Sequence, residues 1–129
     1  MTTLEMKSRT KRYALRVVKA VQALPNDRVA NILGGQLLRS GTSVGANYRA
    51  VCRAKSKADF LNKMKIVEEE CDESLFWMEL LVESEGFPQK KLGTLMTEGD
   101  EILSIVVASL RTTREHLFSP QSSIVHRKS

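Results

Sequence analysis

Lysine and arginine are the side chains best suited to chemistry in this sequence, because they are concentrated in one part of it. Residues 7–65 contain fourteen Lys or Arg and two acids, whereas residues 66–101 contain eleven acids and two lysines. The formal net charge of the whole chain is +5, so the total hides this segregation. A dense group of bases with few acids beside it is typical of a surface that binds a polyanion.

Residues that would support catalysis, a cofactor or a metal ion do not occur in suitable combinations. The only histidines are His116 and His126. The sequence lacks a Glu-x-x-His pair, a paired-cysteine ligand set and a phosphate loop ending in Gly-Lys-Ser/Thr. The glycines of GGQLLRSGTSVG recur at helix-packing intervals and follow no strand, which argues against a nucleotide-binding loop. We therefore predict a protein that is not an enzyme, with no catalytic residues, no cofactor and no metal.

Length and composition predict a single all-α domain in the cytoplasm. The chain has 129 residues, three prolines and few aromatic residues. No run of eighteen apolar residues is present, so we predict no membrane span; an Arg-rich N-terminal transit peptide is the alternative to a first bundle helix. Cys52 and Cys71 are predicted to lie at different heights on antiparallel helices, as unbridged core residues in a reducing compartment.

Helix start and stop signals divide the chain into four helices. Residues 2–5 and 56–59 read as capping boxes, and the Pro-Asn-Asp segment at residues 25–27 ends the first helix and caps the second. The second helix is predicted to run from Arg28 to Ala54. The third is predicted to stop at the Gly-Phe-Pro segment of residues 86–88.

Apolar residues at helical spacing indicate which helix faces are buried. The third helix has the most regular heptad, formed by Phe60, Met64, Val67, Cys71, Ser74, Met78 and Leu81. The fourth repeats the pattern with Leu92, Met96, Gly99, Leu103, Val106, Leu110, Thr113 and Leu117. Long helices with short connections predict an up-down-up-down antiparallel four-helix bundle over residues 1–118, followed by a flexible C-terminal tail over residues 119–129.

Two surfaces exceed what a monomeric bundle requires. The second helix has a core seam, formed by Val29, Leu33, Leu37, Ser40, Val44, Asn47 and Val51, and a second seam that contains glycines. Interior glycines destabilise a helix by about 0.5 to 1 kcal/mol each, so another backbone is expected to approach closely there. We predict a subunit interface formed by Gly34, Leu38, Gly41, Gly45, Phe76, Trp77 and Leu80. The alternative is contact with two neighbouring helices of the same chain.

Folding the chain at its turns brings bases from several segments to one pole of the bundle. The predicted nucleic-acid-binding residues are Lys7, Arg9, Lys11, Arg12, Arg16, Arg49, Arg53, Lys55, Lys57, Lys63 and Lys65. Arg111 and Arg114 add to the same pole. Tyr13 and Tyr48 are the only aromatic residues expected nearby, which favours phosphate contact over base recognition. The alternative is a solvated basic end that improves solubility.

Two further arginines are predicted to form structural ion pairs. In the antiparallel register, Arg39 is level with Asp72 and Glu73, and Arg28 is level with Glu83.

Part of the chain resembles a known family. The runs RSGTSVGANYR, CRAKSKADF and EECDESLFWMELL lie within roughly Arg28–Glu85 and are similar to the 23S rRNA intervening-sequence family, with an Arg-Ser-x-x-Ser-x-x-x-Asn core at residues 39–47. The resemblance implies an up-down bundle that assembles as a closed homopentameric ring. A related branch, the accessory variability protein of diversity-generating retroelements, implies binding to nucleic acid and to a reverse transcriptase. Ala50 stands where many members have an acidic residue.

Two classes of function follow from these observations. The first is a non-enzymatic homo-oligomer that binds RNA or DNA through phosphate contacts at its basic pole. The second is an oligomeric protein-binding adaptor or scaffold without nucleic-acid binding. Steep loss of binding with added salt is expected for the first class, and salt-insensitive binding to an apolar surface for the second.

Overall fold

Four α-helices account for most of the residues that the computed structural model describes, which are residues 1–84 and 89–118. The helices are α1 (Thr3–Gln22), α2 (Arg28–Val51), α3 (Lys57–Glu83) and α4 (Gln89–Phe118). The predicted all-α class is confirmed, and no strand occurs within these residues. The predicted helix stop at residues 86–88 and the predicted tail at residues 119–129 lie outside the described residues.

Side chains set the starts of α1 and α2 by accepting hydrogen bonds from free backbone N–H groups. The Thr2 hydroxyl accepts from the Glu5 N–H and the Glu5 carboxylate accepts from the Thr2 N–H, which is the predicted capping box. At the start of α2, the Asp27 carboxylate accepts from the Ala30 N–H at 2.8 Å. Both helices therefore begin where their sequence signals indicate.

The turn between α2 and α3 differs slightly from the prediction. The N–H groups of Arg53 and Ala54 donate to carbonyls three residues earlier, so the α-helix ends at Val51 and not at Ala54. Ser56 caps α3 by accepting from the Asp59 N–H. The Asp59 carboxylate accepts from the Lys55 N–H, one residue before the cap, so the second predicted capping box is only half formed.

Each helix packs against two neighbours, which produces the predicted antiparallel bundle. α2 lies between α1 and α3, and α4 packs against α3 and α1. The start of α1, the end of α2, the start of α3 and the end of α4 consequently lie at one end of the bundle. Thr3, Val51, Ser56 and Thr113, one from each of these regions, line the same surface depression.

The apolar stripes of α3 and α4 largely follow the predicted heptads. The α3 stripe is buried except at Phe60, which is only partly buried. In α4, Leu95 and Ile102 are buried, whereas the predicted core residues Met96 and Leu103 are only partly buried. The core face of α4 is thus rotated by one residue position at two turns.

The core face of α1 combines apolar, polar and aromatic residues. Met6, Thr10 and Tyr13 are buried together with Val17, whereas Ala14 is only partly buried. A buried tyrosine needs a partner for its hydroxyl group. Because Tyr13 is buried inside the bundle, the expectation that it lies among the basic side chains of the pole is wrong.

A polar cluster inside the core supplies that partner. The Tyr13 hydroxyl lies 2.8 Å from the Ser74 hydroxyl, and Ser74 donates to the Cys71 carbonyl at 2.7 Å. The Cys71 thiol in turn donates to the Gly99 carbonyl at 3.4 Å. A Cβ at Gly99 would lie only 2.8 Å from the Tyr13 hydroxyl, so the glycine makes room for it. The cluster connects α1, α3 and α4.

The glycine seam of α2 packs against α1 of the same chain. A Cβ at Gly41 would lie 2.7 and 2.8 Å from two methyl groups of Val17, and a Cβ at Gly45 would lie 3.1 Å from the Thr10 carbonyl oxygen. Gly34 likewise faces Leu24. The close backbone approach was predicted correctly, but the predicted partner was wrong. These glycines are buried by contacts within their own chain.

Two further core predictions are wrong. Val29 is 57% exposed, because the core face of α2 begins at the following residue, Ala30. Cys52 is exposed because it caps the end of α2, after the last buried residue of that helix. Cys71 is buried as predicted, and both cysteines are free thiols.

Candidate nucleic-acid interface

Charge is distributed unequally among the four helices. α1 has six bases and one acid, α2 three bases and no acid, α3 three bases and eight acids, and α4 four of each. The net charges are therefore +5, +3, −5 and 0 in chain order. Because α1 packs directly against α2, these two helices form a basic layer beside the predominantly acidic α3.

A groove of about 380 Å³ runs along the outside of this basic layer, towards the start of α1. We call it the α1–α2 groove, and it is lined by Lys7, Lys11, Ala14, Thr42, Gly45, Ala46 and Arg49. Its three bases belong to the predicted binding set, and none of them forms an ion pair within residues 1–84 and 89–118.

Sequence reasoning missed the floor of this groove. Ala14 follows Lys11 by three residues, and Gly45 precedes Arg49 by four, so each small residue shares a helix face with a base. That spacing was visible in the sequence. Only the α1–α2 packing shows that the two faces border the same groove.

A larger depression of about 510 Å³ lies at the end of the bundle where the α2–α3 turn is found. Lys55 and Lys57 line it, together with Thr3 from α1 and Thr113 from α4. Arg53 is exposed in the same turn. We call the Arg53, Lys55 and Lys57 group the basic pole. The structure thus brings the four helix ends together as the antiparallel topology predicts.

Arg9 is not a free base, contrary to the prediction. Its Nε and Nη2 atoms donate to the two carboxylate oxygens of Glu98, both at 2.7 Å, and Nη2 also donates to Glu101. The hydrogen bond with Glu98 raises the pKa of Arg9 and lowers the pKa of Glu98. Only 16% of the Arg9 side chain is exposed. Arg9 therefore ties α1 to α4.

Two predicted binding residues of α3 are also engaged within the chain. Lys63 donates to Asp59 at 2.8 Å, and Lys65 donates to Glu68 at 2.7 Å. The hydrogen bond from Lys63 lowers the pKa of the Asp59 carboxyl. Because these partners lie about one helical turn apart, each lysine is partly neutralised by its own helix. Neither lysine adds an unpaired charge to the pole.

Arg16 lies elsewhere in the bundle than predicted. It donates to the Thr94 hydroxyl at 3.1 Å, and Thr94 is near the start of α4. The start of α4 is at the end of the bundle opposite the basic pole, so Arg16 is in the opposite half. Arg12 is exposed and forms no ion pair within the described part of the chain.

Arg39 spans the contact between α2 and α3. Its guanidinium donates to Glu70 at 3.2 Å and to Glu73, and these hydrogen bonds raise the pKa of Arg39. Glu73 also accepts a hydrogen bond from the Trp77 indole N–H at 3.3 Å. The hydrogen bonds from Arg39 and Trp77 lower the pKa of Glu73. The predicted ion pair between Arg39 and Glu73 is confirmed.

The other two predicted ion pairs do not form within the described residues. Arg39 pairs with Glu70 and not with Asp72, because Asp72 is exposed on a face about 100° away from Glu73. Arg28 and Glu83 are both exposed and do not pair with each other.

The polar residues of the 39–47 motif bond mainly within α2. Ser40 donates to the Gln36 carbonyl at 2.9 Å, and Ser43 donates to the Arg39 carbonyl at 2.6 Å. The Asn47 amide donates to the Ser43 carbonyl at 2.8 Å. Apart from Arg39, these side chains donate their hydrogen bonds to backbone carbonyls of α2.

The two tyrosines are placed for packing and not for base stacking. Tyr13 is fully buried and Tyr48 is 5% exposed, so neither ring offers a stacking surface. Phe76 is 49% exposed and packs edge to face with Trp77 at a centroid distance of 5.1 Å. Trp77 also packs partly against the core. Of the predicted interface residues, Leu38 is exposed and Leu80 is partly buried.

Residues 1–84 and 89–118 contain neither a metal-binding cluster nor a membrane-spanning helix. No group of three or more His, Cys, Asp or Glu side chains there is arranged to hold a metal ion. None of the helices in this part of the chain has the length and apolar character needed to cross a membrane.

Comparison with known proteins gives a consistent result. A family model described as 23S rRNA-intervening sequence protein matches residues 2–108. A crystal structure from Bacteroides thetaiotaomicron, described as a protein with unknown function from the S23 ribosomal protein family, is 32% identical with a TM-score of 0.76. The match covers 81% of this chain and 97% of that chain. No curated protein matches the sequence.

Proposed function

The chain belongs to the 23S rRNA-intervening sequence protein family, and from this premise we propose that it is a non-enzymatic bundle that binds nucleic acid, RNA or DNA, through phosphate contacts. The binding surface in this proposal is the basic pole, formed by Arg53, Lys55 and Lys57, together with the bases of the adjoining helix ends.

One observation carries the proposal: the basic layer has almost no acids of its own. Arg9 and Arg39 are paired with carboxylates of α4 and α3, but Lys7, Lys11 and Arg49 form no ion pair within the described residues. α1 and α2 together contain nine bases and one acid, Glu5, whose carboxylate accepts the Thr2 N–H. Neighbouring positive charges repel one another unless counterions or a polyanion screen them. A surface that served solubility alone would intersperse charges of both signs.

Phosphate contact is favoured over base recognition by the kinds of side chain present. The exposed groups at the pole are ammonium and guanidinium ions, which suit phosphate oxygens. Tyr48 near the pole is only 5% exposed and Phe60 is partly buried, so little aromatic surface is open there for base stacking. Little sequence preference is therefore expected.

We also propose that the bundle acts as a closed homo-oligomer of five subunits, which the family resemblance implies. The exposed Phe76 ring supports this idea, because a large apolar side chain on a polar helix face is common at subunit contacts. The exposed Leu38 side chain is a second candidate contact.

The same Phe76 surface supports the second candidate function, a protein-binding adaptor. Exposed Asp72 and Glu79 lie four residues before and three residues after Phe76 on α3. An apolar ring beside acids would suit a basic partner segment with an apolar anchor.

Binding of RNA and DNA across a salt series, by protein of measured oligomer mass, tests the proposed function. The logarithm of affinity should fall linearly with log salt, with a slope of about −0.9 per contacted phosphate on duplex and about −0.7 on single strands. Reversing the charges of Arg53, Lys55 and Lys57 should weaken binding to all sequences alike and flatten this slope.

The matched control reverses three charges at the opposite end of the bundle, at Lys19, Arg28 and Lys90. These side chains are exposed and form no ion pair within the described residues, so their reversal should have a small effect. Equal effects at both ends, or no binding at low salt, would leave the adaptor as the better candidate.

A further inference from the structure

The α1–α2 groove has a shape that follows from the close packing of its two helices. Gly45 brings the α2 backbone against Thr10 of α1, with a Cβ position only 3.1 Å from the Thr10 carbonyl oxygen. The outer edge of this contact is formed by Ala14 and Ala46, which have single methyl side chains. Small residues on both helices leave an open trough of about 380 Å³ where larger side chains would meet.

Basic side chains lie on both sides of the α1–α2 groove. Lys7 and Lys11 are four residues apart on α1, which separates them by roughly 6 Å along the helix axis. Arg49 lies on the α2 side. A strand that passes between them would meet cations on both flanks, and the spacing of the lysines suits neighbouring phosphates of an extended strand.

The charges that surround the trough reinforce one another. All three bases are without an ion pair in the described part of the chain, and the Thr42 hydroxyl is the only polar side-chain group besides them in the lining. Glu5 is the one acid of α1, and α2 has none. Clefts lined by charge of one sign concentrate counterions of the opposite sign.

We propose that the α1–α2 groove is the seat of a single nucleic-acid strand, which binds through its sugar–phosphate backbone with Lys7, Lys11 and Arg49 on the phosphates. The groove has room for a phosphate with its ribose but not for a base-paired duplex. A duplex would reach only the ends of the lysine and arginine side chains. This inference rests on the proposed function, and it adds the place and the strandedness of the ligand.

A substitution that fills the groove without changing its charge gives the sharpest test. Ala46→Leu replaces a methyl group on the groove wall with an isobutyl group at an exposed helix position, where Leu is nearly as favourable as Ala. We expect affinity for a uridine homopolymer to fall about tenfold, the loss of roughly one charge-assisted contact, while affinity for a duplex changes little. Ala108→Leu, an exposed position of α4, is the matched control and should bind as the wild type does.

Removal of the groove charges provides an independent measurement. Lys7→Gln, Lys11→Gln and Arg49→Gln combined should reduce the salt slope on the homopolymer by about 2, from three contacts at about 0.7 each. The control combines Lys19→Gln, Arg28→Gln and Lys90→Gln, which changes the net charge equally at the opposite end. Thermal unfolding of every variant shows whether it is folded.

The outcomes separate this inference from the proposed function. Suppose that the folded Ala46→Leu and groove charge variants bind the homopolymer like wild type, while charge reversal at the basic pole abolishes binding. The groove is then not the binding site, but the proposed nucleic-acid binding is supported. If polyglutamate competes as well as the homopolymer at equal charge, the groove recognises acidic chains in general, and the inference is wrong. If the wild-type protein binds no nucleic acid, both are wrong.

Discussion

Gly41 and Gly35 lie in the same helix, α2, yet their surroundings are opposite. A Cβ at Gly41 would clash with the branched side chain of Val17, which is fully buried. No atom lies within 4 Å of the Cβ position at Gly35. Alanine is more favourable than glycine in an open helix position, because it loses less backbone entropy on folding. The neighbouring helix therefore decides whether a methyl group stabilises or destabilises α2.

We expect Gly41→Ala to lower the free energy of unfolding by about 1 to 3 kcal/mol, the usual effect of overpacking a rigid contact. Gly35→Ala is its matched control and should raise the free energy of unfolding by about 0.5 to 1 kcal/mol. Denaturant titration of both variants measures these differences. A stabilised Gly41→Ala protein would contradict the close approach of α1 and α2.

The polar cluster around Tyr13 depends on the hydrogen bonds of single side chains. Ser74 donates its hydrogen to the Cys71 carbonyl at 2.7 Å, so the Tyr13 hydroxyl donates to the Ser74 oxygen at 2.8 Å. Burial raises the pKa of the Tyr13 phenol and raises the pKa of the Cys71 thiol to about 12, so both groups stay neutral at physiological pH. A polar cluster satisfied in this way favours one alignment of α1, α3 and α4 over apolar alternatives.

At the scale of elements, the contact between α1 and α4 is supported by polar bonds on its outer side. Arg9 holds Glu98 with two hydrogen bonds at 2.7 Å, and Arg16 donates to Thr94 about one turn earlier on α4. An arginine that binds both oxygens of a carboxylate has a defined geometry, in contrast to most surface ion pairs. This edge of the bundle should therefore respond to acid.

We expect Glu98 to contribute stability at neutral pH that is lost on acidification. The pKa of Glu98 is lower in the folded chain than the ordinary value of 4.5, because of its hydrogen bond with Arg9. The unfolded chain therefore takes up the proton first as the pH falls, which favours unfolding below about pH 4.5. The difference in unfolding free energy between wild type and Glu98→Gln should be largest near neutral pH and shrink as the pH falls below the ordinary value of 4.5.

Denaturant titration at several pH values measures this difference. Glu79→Gln is the control, because Glu79 is exposed and forms no ion pair within residues 1–84 and 89–118. Its pH dependence should match that of the wild type. A stability difference for Glu98→Gln that stayed constant with pH would show that the carboxylate charge does not support the α1–α4 contact.

At the scale of the whole molecule, the basic layer and the exposed Phe76 ring lie on different helices, although α1 and α2 also expose Leu15, Val29, Ile32 and Leu38. α1 and α2 are basic, whereas Phe76 is on the acidic α3. The two surfaces can therefore serve two roles at once, phosphate contact on one side and subunit or partner contact on the other. Trp77 is a poorer probe of assembly than Phe76, because it also packs partly against the core.

We expect Phe76→Ser to reduce the oligomer mass at micromolar concentration without lowering the helix content, because the exposed ring adds little to the subunit's own core. Native mass measurement and circular dichroism provide the two readouts. Ile66→Ser is the matched control, since Ile66 is 43% exposed on the same helix. If Phe76→Ser leaves the mass unchanged but melts earlier than wild type, Phe76 stabilises the subunit and not the assembly.

The sequence by itself determined the four helices, the starts of α1, α2 and α3, and the antiparallel order. These features depend on contacts between residues a few positions apart, such as the Thr2–Glu5 capping box and the Asp27 cap. The heptad of α3 is likewise a local periodicity, and it correctly located Cys71 and Ser74 in the core. The resemblance carried by residues 39–47 led to the family that the comparisons confirm.

Only the tertiary structure decided which glycines face open space and which lysine and arginine side chains form no ion pair. Gly41 faces Val17 of the preceding helix, and Arg9 is neutralised by a carboxylate 89 residues away. Neither partner follows from spacing, because a helical pattern shows that a face is occupied but not by what. Gly45 and Lys11 became parts of one groove for the same reason: the rotation of two helices about their axes is set by packing between them, and not by either segment alone.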